Sequence, residues 1–185
     1  MENTAAGVKA GFKYNVEHLR RADLAPEVTN TKMIDGVEYA VLSVENISNL
    51  IPTEGLNYML GTALTGVTQS STWYISLFEG NYTPVAGVTA ATYPAAATEC
   101  TAYDEAARVA WTAGSISAGS VSNTASKAVF TMNATKAVYG IAQTSVSTKS
   151  ATTGTLISVA RFSAVKNVVA TDVLNVTSTL SATSA

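Results

Sequence analysis

From residue 37 onward, apolar and polar side chains tend to alternate along the chain, as they do in half-buried β-strands. The strongest strand signal is at 72–78, Thr-Trp-Tyr-Ile-Ser-Leu-Phe, which is rich in aromatic and β-branched residues and partly apolar on both faces. Clusters of Gly, Pro, Asn and Ser separate the segments and favour turns. The pattern predicts seven strands, and an eighth at 116–121, the seven being 37–44, 72–78, 108–112, 127–132, 138–144, 155–162 and 173–180. This spacing is typical of a mainly β protein, a β-sandwich or a jelly roll.

One segment, 53–65, has helical periodicity instead. Thr53 occupies the predicted N-cap position, and Glu54 in the first turn favours the helix dipole. Apolar residues then recur at helical spacing: Leu56, Met59, Leu60, Ala63 and Leu64. We therefore expect one short helix whose Leu56/Leu60/Leu64 face packs on the β body.

Residues 1–35 differ from the rest in charge and in apolar content. The chain to Glu54 contains eight acids and five bases, whereas residues 55–185 contain five acids and six bases. Few large apolar residues precede residue 36, and Asn15 could cap a short helix over 16–22. A segment of this kind is either disordered or ordered by a neighbour. The predicted organisation is an N-terminal arm, 1–35, that is not needed for folding, followed by a β-sandwich body, 36–185.

A long connection, 81–106, carries three tyrosines: Tyr82, Tyr93 and Tyr103. Loops of this length inside a compact domain are usually functional or disordered, so we expect these tyrosines to contact a partner. Trp73 and Trp111 could form a sugar-binding platform, but their positions in predicted strands favour the core.

The sequence contains little that could carry catalysis. His18, the single histidine, lies in the predicted arm, and the single cysteine, Cys100, has no second cysteine to complete a zinc site. The acidic pair Asp104 and Glu105 is poorly placed for glycoside hydrolysis or for Ca²⁺ binding. No glycine-rich phosphate-binding motif is present. We expect a non-enzymatic protein without a cofactor or metal.

The charge balance also bears on partners. The net charge is −2 and the only basic doublet, Arg20-Arg21, is flanked by acids, so nucleic acid is not an expected partner. The first residues lack the basic and apolar regions of a signal peptide, and no apolar stretch is long enough to cross a bilayer. We expect synthesis in the cytoplasm and no membrane association.

Four stretches resemble a widespread group of tailed-bacteriophage virion proteins. These stretches are 49–60 (NLIPTEGLNYML), 71–84 (STWYISLFEGNYTP), 120–133 (SVSNTASKAVFTMN) and 172–180 (DVLNVTSTL). The likeness extends from about residue 44 to the C-terminus and excludes the predicted arm. It implies a small head-decoration or tail-associated structural protein, and it identifies no catalytic residue.

The resemblance and the composition together favour a capsid decoration protein, made in the host cytoplasm and located in the virion. We expect it to dock on the major capsid protein or other virion proteins, and to form a homo-oligomer. The residues expected at the partner contact are Phe12, Tyr14, Arg20, Arg21, Tyr82, Tyr93 and Tyr103. The alternative is a tail-fibre or receptor-binding module whose 81–106 loop contacts a host surface glycan. A glycan depolymerase is disfavoured because no acid/base pair is evident.

Overall fold

The computed structural model describes residues 8–184, which form two antiparallel β-sheets packed face to face. Two helices are present in this range, α1 (Thr53–Leu64) and the single-turn α2 (Tyr93–Ala96). The strands, in chain order, are β1 (Val8–Arg21), β2 (Thr31–Ile34), β3 (Val37–Ser48), β4 (Trp73–Phe78), β5 (Glu99–Cys100), β6 (Val109–Trp111), β7 (Ser120–Ser122), β8 (Ala128–Thr131), β9 (Lys136–Thr144), β10 (Leu156–Val168) and β11 (Val173–Ser184).

The first sheet has the strand order β2-β3-β1-β11, and β7 and β8 both pair with the far side of β11. The second sheet has the order β10-β9-β4, and β5 and β6 pair with successive parts of β4. The prediction of a mainly β, sandwich-like fold is confirmed, although eleven strands are found between residues 8 and 184 rather than seven or eight.

The main core lies between the two sheets and draws on both. Tyr14 of β1 is fully buried, and its hydroxyl donates a hydrogen bond of 2.7 Å to Ser158 Oγ of β10, linking the sheets. The core includes Phe12, Val16, Phe130, Leu174 and Val176 from the first sheet, and Ile75, Leu77, Val138, Ile141 and Ile157 from the second.

The N-terminal segment is a central strand, so the prediction of a detachable arm over 1–35 is wrong for its described part. β1 pairs with β11 along one edge and with β3 along the other. Burial alternates from Phe12 to Val16, where Phe12, Tyr14 and Val16 are buried while Lys13 is exposed, and the alternation is interrupted by a bulge at His18 and Leu19. The predicted helix over 16–22 is also wrong, because only a short 3₁₀ turn, Ala22–Leu24, follows the strand. Residues 1–7 of the predicted arm lie outside the described residues.

Helix α1 is confirmed, but it packs through a different face from the one predicted. Gly55 is buried against β10 so closely that a Cβ there would lie 2.8 Å from the Ile157 carbonyl oxygen. The Glu54 carboxylate accepts hydrogen bonds from the backbone N–H groups of Leu156 (2.7 Å) and Ala90 (2.8 Å). These two contacts fix the rotation of the helix. The leucines on the opposite side therefore face solvent.

The 81–106 connection is not a projecting loop. It folds over the outer face of the second sheet, where α2 and β5 interrupt it. Tyr93 is fully buried there, and its ring meets Phe78 of β4 edge to face. A second core cluster results, formed by Phe78, Val88, Ala90, Tyr93, Ala97, Ala142, Leu156 and Val159.

Candidate functional site: a leucine row and an aromatic cleft

The charged residues in the second half of β1, from Glu17 to Arg21, are engaged in ion pairs. Asp172, whose side chain is fully buried, accepts two hydrogen bonds of 2.8 Å from Arg20 and lies 2.8 Å from His18 Nε2. Burial alone would raise the pKa of Asp172, but the hydrogen bonds from Arg20, His18 and the Val169 N–H outweigh it and lower that pKa to about 2. This cluster ties the end of β1 to the start of β11.

Glu17 and Glu45, which lie nearer the surface, are also paired with basic side chains that lower their pKa values. Lys32 Nζ lies 2.7 Å and Lys127 Nζ 3.1 Å from Glu17 Oε2, and Lys166 Nζ lies 2.6 Å from Glu45 Oε2. Burial opposes the ionisation of both carboxyls, yet these hydrogen bonds lower the pKa of each. Glu17 and Glu45 are therefore each neutralised by lysines within the fold.

A second buried ion pair holds the covering segment in place. Arg108 donates to both Glu99 oxygens, at 2.8 and 2.6 Å, and both side chains are 1% exposed. Burial opposes the charge on Arg108, but the hydrogen bonds to Glu99 raise its pKa overall. Because neither side chain reaches solvent, we assign the pair a structural role: it holds the chain around Glu99 and Arg108 together.

Cys100 and the acidic residues of the described range do not gather into a metal-binding cluster. Cys100 is buried, and burial raises the pKa of its thiol to about 11, which keeps it protonated at neutral pH. No group of three or more His, Cys, Asp or Glu residues within the described part of the chain is arranged to hold a metal ion.

The first candidate surface is the exposed apolar face of α1, here called the leucine row. Leu56, Leu60, Leu64 and the following Val67 are 45%, 59%, 76% and 48% exposed. The sequence from Gly55 to Phe78 contains no charged residue. Exposed apolar patches on an otherwise closed fold usually mark interaction sites. This surface therefore has the chemistry of a protein contact.

The second candidate surface is a cleft of about 640 Å³, here called the aromatic cleft. It lies at the end of the sandwich where Trp73 of β4 stands directly opposite Trp111 of β6 in the antiparallel register. Tyr58 of α1 meets Trp73 edge to face, with ring centroids 5.3 Å apart. The cleft is also lined by Met59, Ile157 and Leu180, by residues 69–72 and 112–114, and by Ile116.

Four of the predicted contact residues are in fact core residues. Phe12, Tyr14, Tyr93 and Tyr103 are 2%, 0%, 0% and 2% exposed. Tyr103 packs edge to face on Phe130, and burial raises its pKa. The prediction that these side chains meet a partner is wrong, because folding itself removes them from the surface.

The other three predicted contact residues are scattered and do not form one surface. Arg20 is committed to Asp172, whereas Arg21 is half-exposed and pairs with the exposed Asp23. Tyr82 is half-buried against Phe78. The expectation that Arg21 and Tyr82 contact a partner therefore remains a prediction.

The sequence contains one local sign of the leucine row and none that places the aromatic cleft. Gly55 beside Glu54 in the first turn indicates a helix that starts in close contact with other backbone, which would direct the leucines outward. The expectation that Trp73 and Trp111 belong to the core is half right. Both rings pack against the core from its edge, and both remain partly accessible in the cleft.

In the described range, no helix has the length and apolar character needed to cross a membrane. The sequence matches no protein-family profile, and no curated protein is significantly similar to it.

Proposed function

We propose that this chain is a non-enzymatic virion structural protein that decorates the assembled capsid of a tailed bacteriophage and docks through the leucine row. The observation that carries the proposal is the exposure of Leu56, Leu60 and Leu64 on a fold whose two cores are already closed. The resemblance of residues 49–60 and 71–84 to phage virion proteins supplies the setting.

The physical argument rests on apolar surface that the monomer leaves uncovered. Fully burying one leucine side chain is worth about 1.5–3 kcal/mol, so a partner that covers the row gains substantial affinity from few residues. The absence of charge from Gly55 to Phe78 suits a close and dry contact. The expected partners are the major capsid protein, other virion proteins or a second copy of this chain.

Symmetry strengthens the proposal. Copies of one protein on a regular shell, or in a homo-oligomer, bind with avidity, so each contact can be modest. A small patch on each subunit is then sufficient. A stable monomer that becomes tightly attached only on a multivalent shell fits this arrangement.

Co-sedimentation with purified heads of the encoding virus tests the docking surface. We expect Leu60→Asp to weaken binding at least about tenfold, because a carboxylate replaces the centre of the contact. The free energy of unfolding should change by less than about 1 kcal/mol, since Leu60 is 59% exposed. Leu64→Asp should behave alike, and the control Val129→Asp, at a 41% exposed position on β8, should leave binding unchanged. Unimpaired binding of both leucine variants would contradict docking through the row.

Quantitative mass spectrometry of purified particles tests where in the virion the protein is located. Hundreds of copies per particle are expected for a decoration protein. A dozen copies or fewer would indicate a tail position, and absence from the particle would overturn the virion assignment.

Salt dependence tests the nature of the contact. Raising ionic strength from about 0.05 to 0.5 M shortens the Debye length from roughly 14 to 4 Å, which weakens binding steered by surface charge. We expect less than a threefold change in affinity. A steep dependence that Arg21→Ala abolishes would instead make the exposed Arg21 an electrostatic contact.

The alternative of a tail-fibre or receptor-binding module loses its original basis. It relied on the 81–106 loop, but Tyr93 and Tyr103 are buried and only Tyr82 retains exposed surface. That loop covers the second sheet, so it offers no aromatic platform to a glycan.

A further inference from the structure

The floor of the aromatic cleft, formed by Trp73, Trp111 and Tyr58, is held in place by several contacts. Trp111 Nε1 donates a hydrogen bond of 3.1 Å to the Ser178 carbonyl oxygen of β11, which fixes its ring across the two sheets. Trp73 is held by pairing with Trp111 and by the edge of Tyr58. The Tyr58 hydroxyl in turn accepts a hydrogen bond from the Ser70 N–H, so the same residue orders one wall. Such a site loses little conformational entropy when a ligand binds.

The cleft carries no charge. None of its lining residues is Asp, Glu, Lys, Arg or His, so neither an anionic nor a cationic ligand finds a counter-ion there. The rim offers neutral hydrogen-bonding groups instead, from the exposed side chains of Gln69, Ser71 and Thr112. The cleft therefore combines aromatic rings with neutral amide and hydroxyl groups.

The shape of the cleft further restricts the ligand. Its volume of about 640 Å³ is within the range of small-molecule sites, but its walls are exposed, and Ile116 at the tip of one wall is 80% exposed. A wholly apolar ligand would keep much of its surface in water here. An amphipathic ligand can place one apolar face on the rings and direct its polar groups to the rim and solvent.

We propose that the aromatic cleft is a binding site for a neutral saccharide. The C–H face of a pyranose ring packs on aromatic rings, and its hydroxyls match the amide and hydroxyl groups of the rim. The open walls admit a short oligosaccharide or the end of a longer glycan. This site is separate from the leucine row, because Leu56, Leu60 and Leu64 do not line it and the cleft residues Tyr58 and Thr62 lie on the side of α1 opposite the row. A failure of capsid docking would therefore leave it untouched.

The two tryptophans of the chain both line the cleft, so intrinsic fluorescence reports on it directly. The full-length protein is screened on an array of neutral and anionic glycans, and each hit is titrated while tryptophan emission is followed. We expect neutral oligosaccharides of hexoses or N-acetylhexosamines to bind with a saturable emission change and a Kd of about 0.1–10 mM. Sialylated and sulfated glycans should not bind better than their neutral parents.

Two variants locate the binding. Trp73→Ala should weaken saccharide binding at least about tenfold, because it removes one of the aromatic rings on which the sugar packs. Because that change could also disturb folding, Ile116→Glu is the second variant; its side chain is exposed, and a carboxylate at the cleft mouth should weaken binding about threefold or more. The control Val129→Glu lies outside the cleft and should bind normally.

Three results would overturn the proposal. One is that no neutral glycan on the array binds. Another is that binding survives both Trp73→Ala and Ile116→Glu. The third is that an apolar peptide or dye alone saturates the fluorescence change and no sugar displaces it, which would make the cleft a contact for an apolar partner.

Discussion

Strand β1 and helix α1 are opposite cases. β1 has a charged, apolar-poor sequence, yet it forms the middle of a sheet with Phe12, Tyr14 and Val16 at most 2% exposed. α1 has an apolar, nearly uncharged sequence, yet its leucines are 45–76% exposed. The segment that resembles a binding arm builds the core, and the segment that resembles a core helix presents the proposed docking surface.

The difference shows that burial follows periodicity and backbone contact rather than apolar content. In β1, Phe12, Tyr14 and Val16 are buried because they recur at every second position and two strands flank them. In α1, the contact of Gly55 with β10 and the hydrogen bonds of Glu54 decide which side faces inward. The predictions below test this contrast, from the largest expected effect to the smallest.

Removal of residues 1–21 should prevent folding. The truncation deletes the strand between β3 and β11 and leaves Ser158 and the inner face of β10 without Tyr14. We expect no cooperative thermal or urea transition by circular dichroism, whereas Lys13→Ala, at an exposed site of the same strand, should unfold like the unmodified chain. A truncated protein that melts within a few degrees of the full chain would restore the arm interpretation.

Asp172→Asn should cost about 3–5 kcal/mol in free energy of unfolding, because Arg20 and His18 then face an uncharged partner in a buried site. The lowered pKa of Asp172 also predicts the pH dependence. Its contribution is complete above the ordinary Asp pKa near 4, and about 2–3 kcal/mol is lost as the pH falls toward the folded-state pKa of about 2. Urea titrations between pH 5 and 2 should show a steeper loss for the unmodified chain than for the variant. Equal slopes would contradict a role for this carboxylate in anchoring β1.

Gly55→Ala should destabilise the protein by about 1–3 kcal/mol, since the new methyl group would press on the Ile157 carbonyl and push α1 off β10. Gly87→Ala is the matched control, because no atom lies within 4 Å of a Cβ at that position. Chemical denaturation measures both. A neutral Gly55→Ala would mean that α1 is not held by this close approach, and its orientation would then need another cause.

Leu60→Ala should change the free energy of unfolding by less than about 0.5–1 kcal/mol, because the side chain is 59% exposed in the free protein. A buried leucine at the same place would cost about 2–5 kcal/mol. Urea unfolding distinguishes the two values. A loss above about 2 kcal/mol would show that the row is covered in solution, either by the chain itself or by a second copy.

The body of the fold was predictable because several of its strands are locally rich in strand-forming residues. The predicted segments 72–78 and 138–144 coincide closely with β4 and β9, since both contain aromatic and β-branched residues. An alternation of apolar and polar residues is visible at Phe12, Tyr14 and Val16, but the high charge of the surrounding segment favoured the arm interpretation instead. Two-residue β5 is too short to give any periodic signal.

The candidate surfaces were less predictable because each depends on distant pairing. Trp73 and Trp111 meet only through the β4–β6 register, and no local pattern fixes that register. The outward rotation of α1 depends on how closely β10 approaches Gly55, which is a property of the folded chain. Similarly, nothing local in 81–106 indicates that Tyr93 enters a second core.

Amide hydrogen exchange of the full-length protein, free and bound to capsids, tests the central contrast most directly. We predict that the β1 amides exchange slowly in the free protein, as those of a central strand do, and do not change on docking. The amides of α1 and the following turn, residues 56–67, should gain protection on docking. The account would be contradicted if β1 exchanged rapidly in the free protein and became protected only on the capsid, while 56–67 did not change.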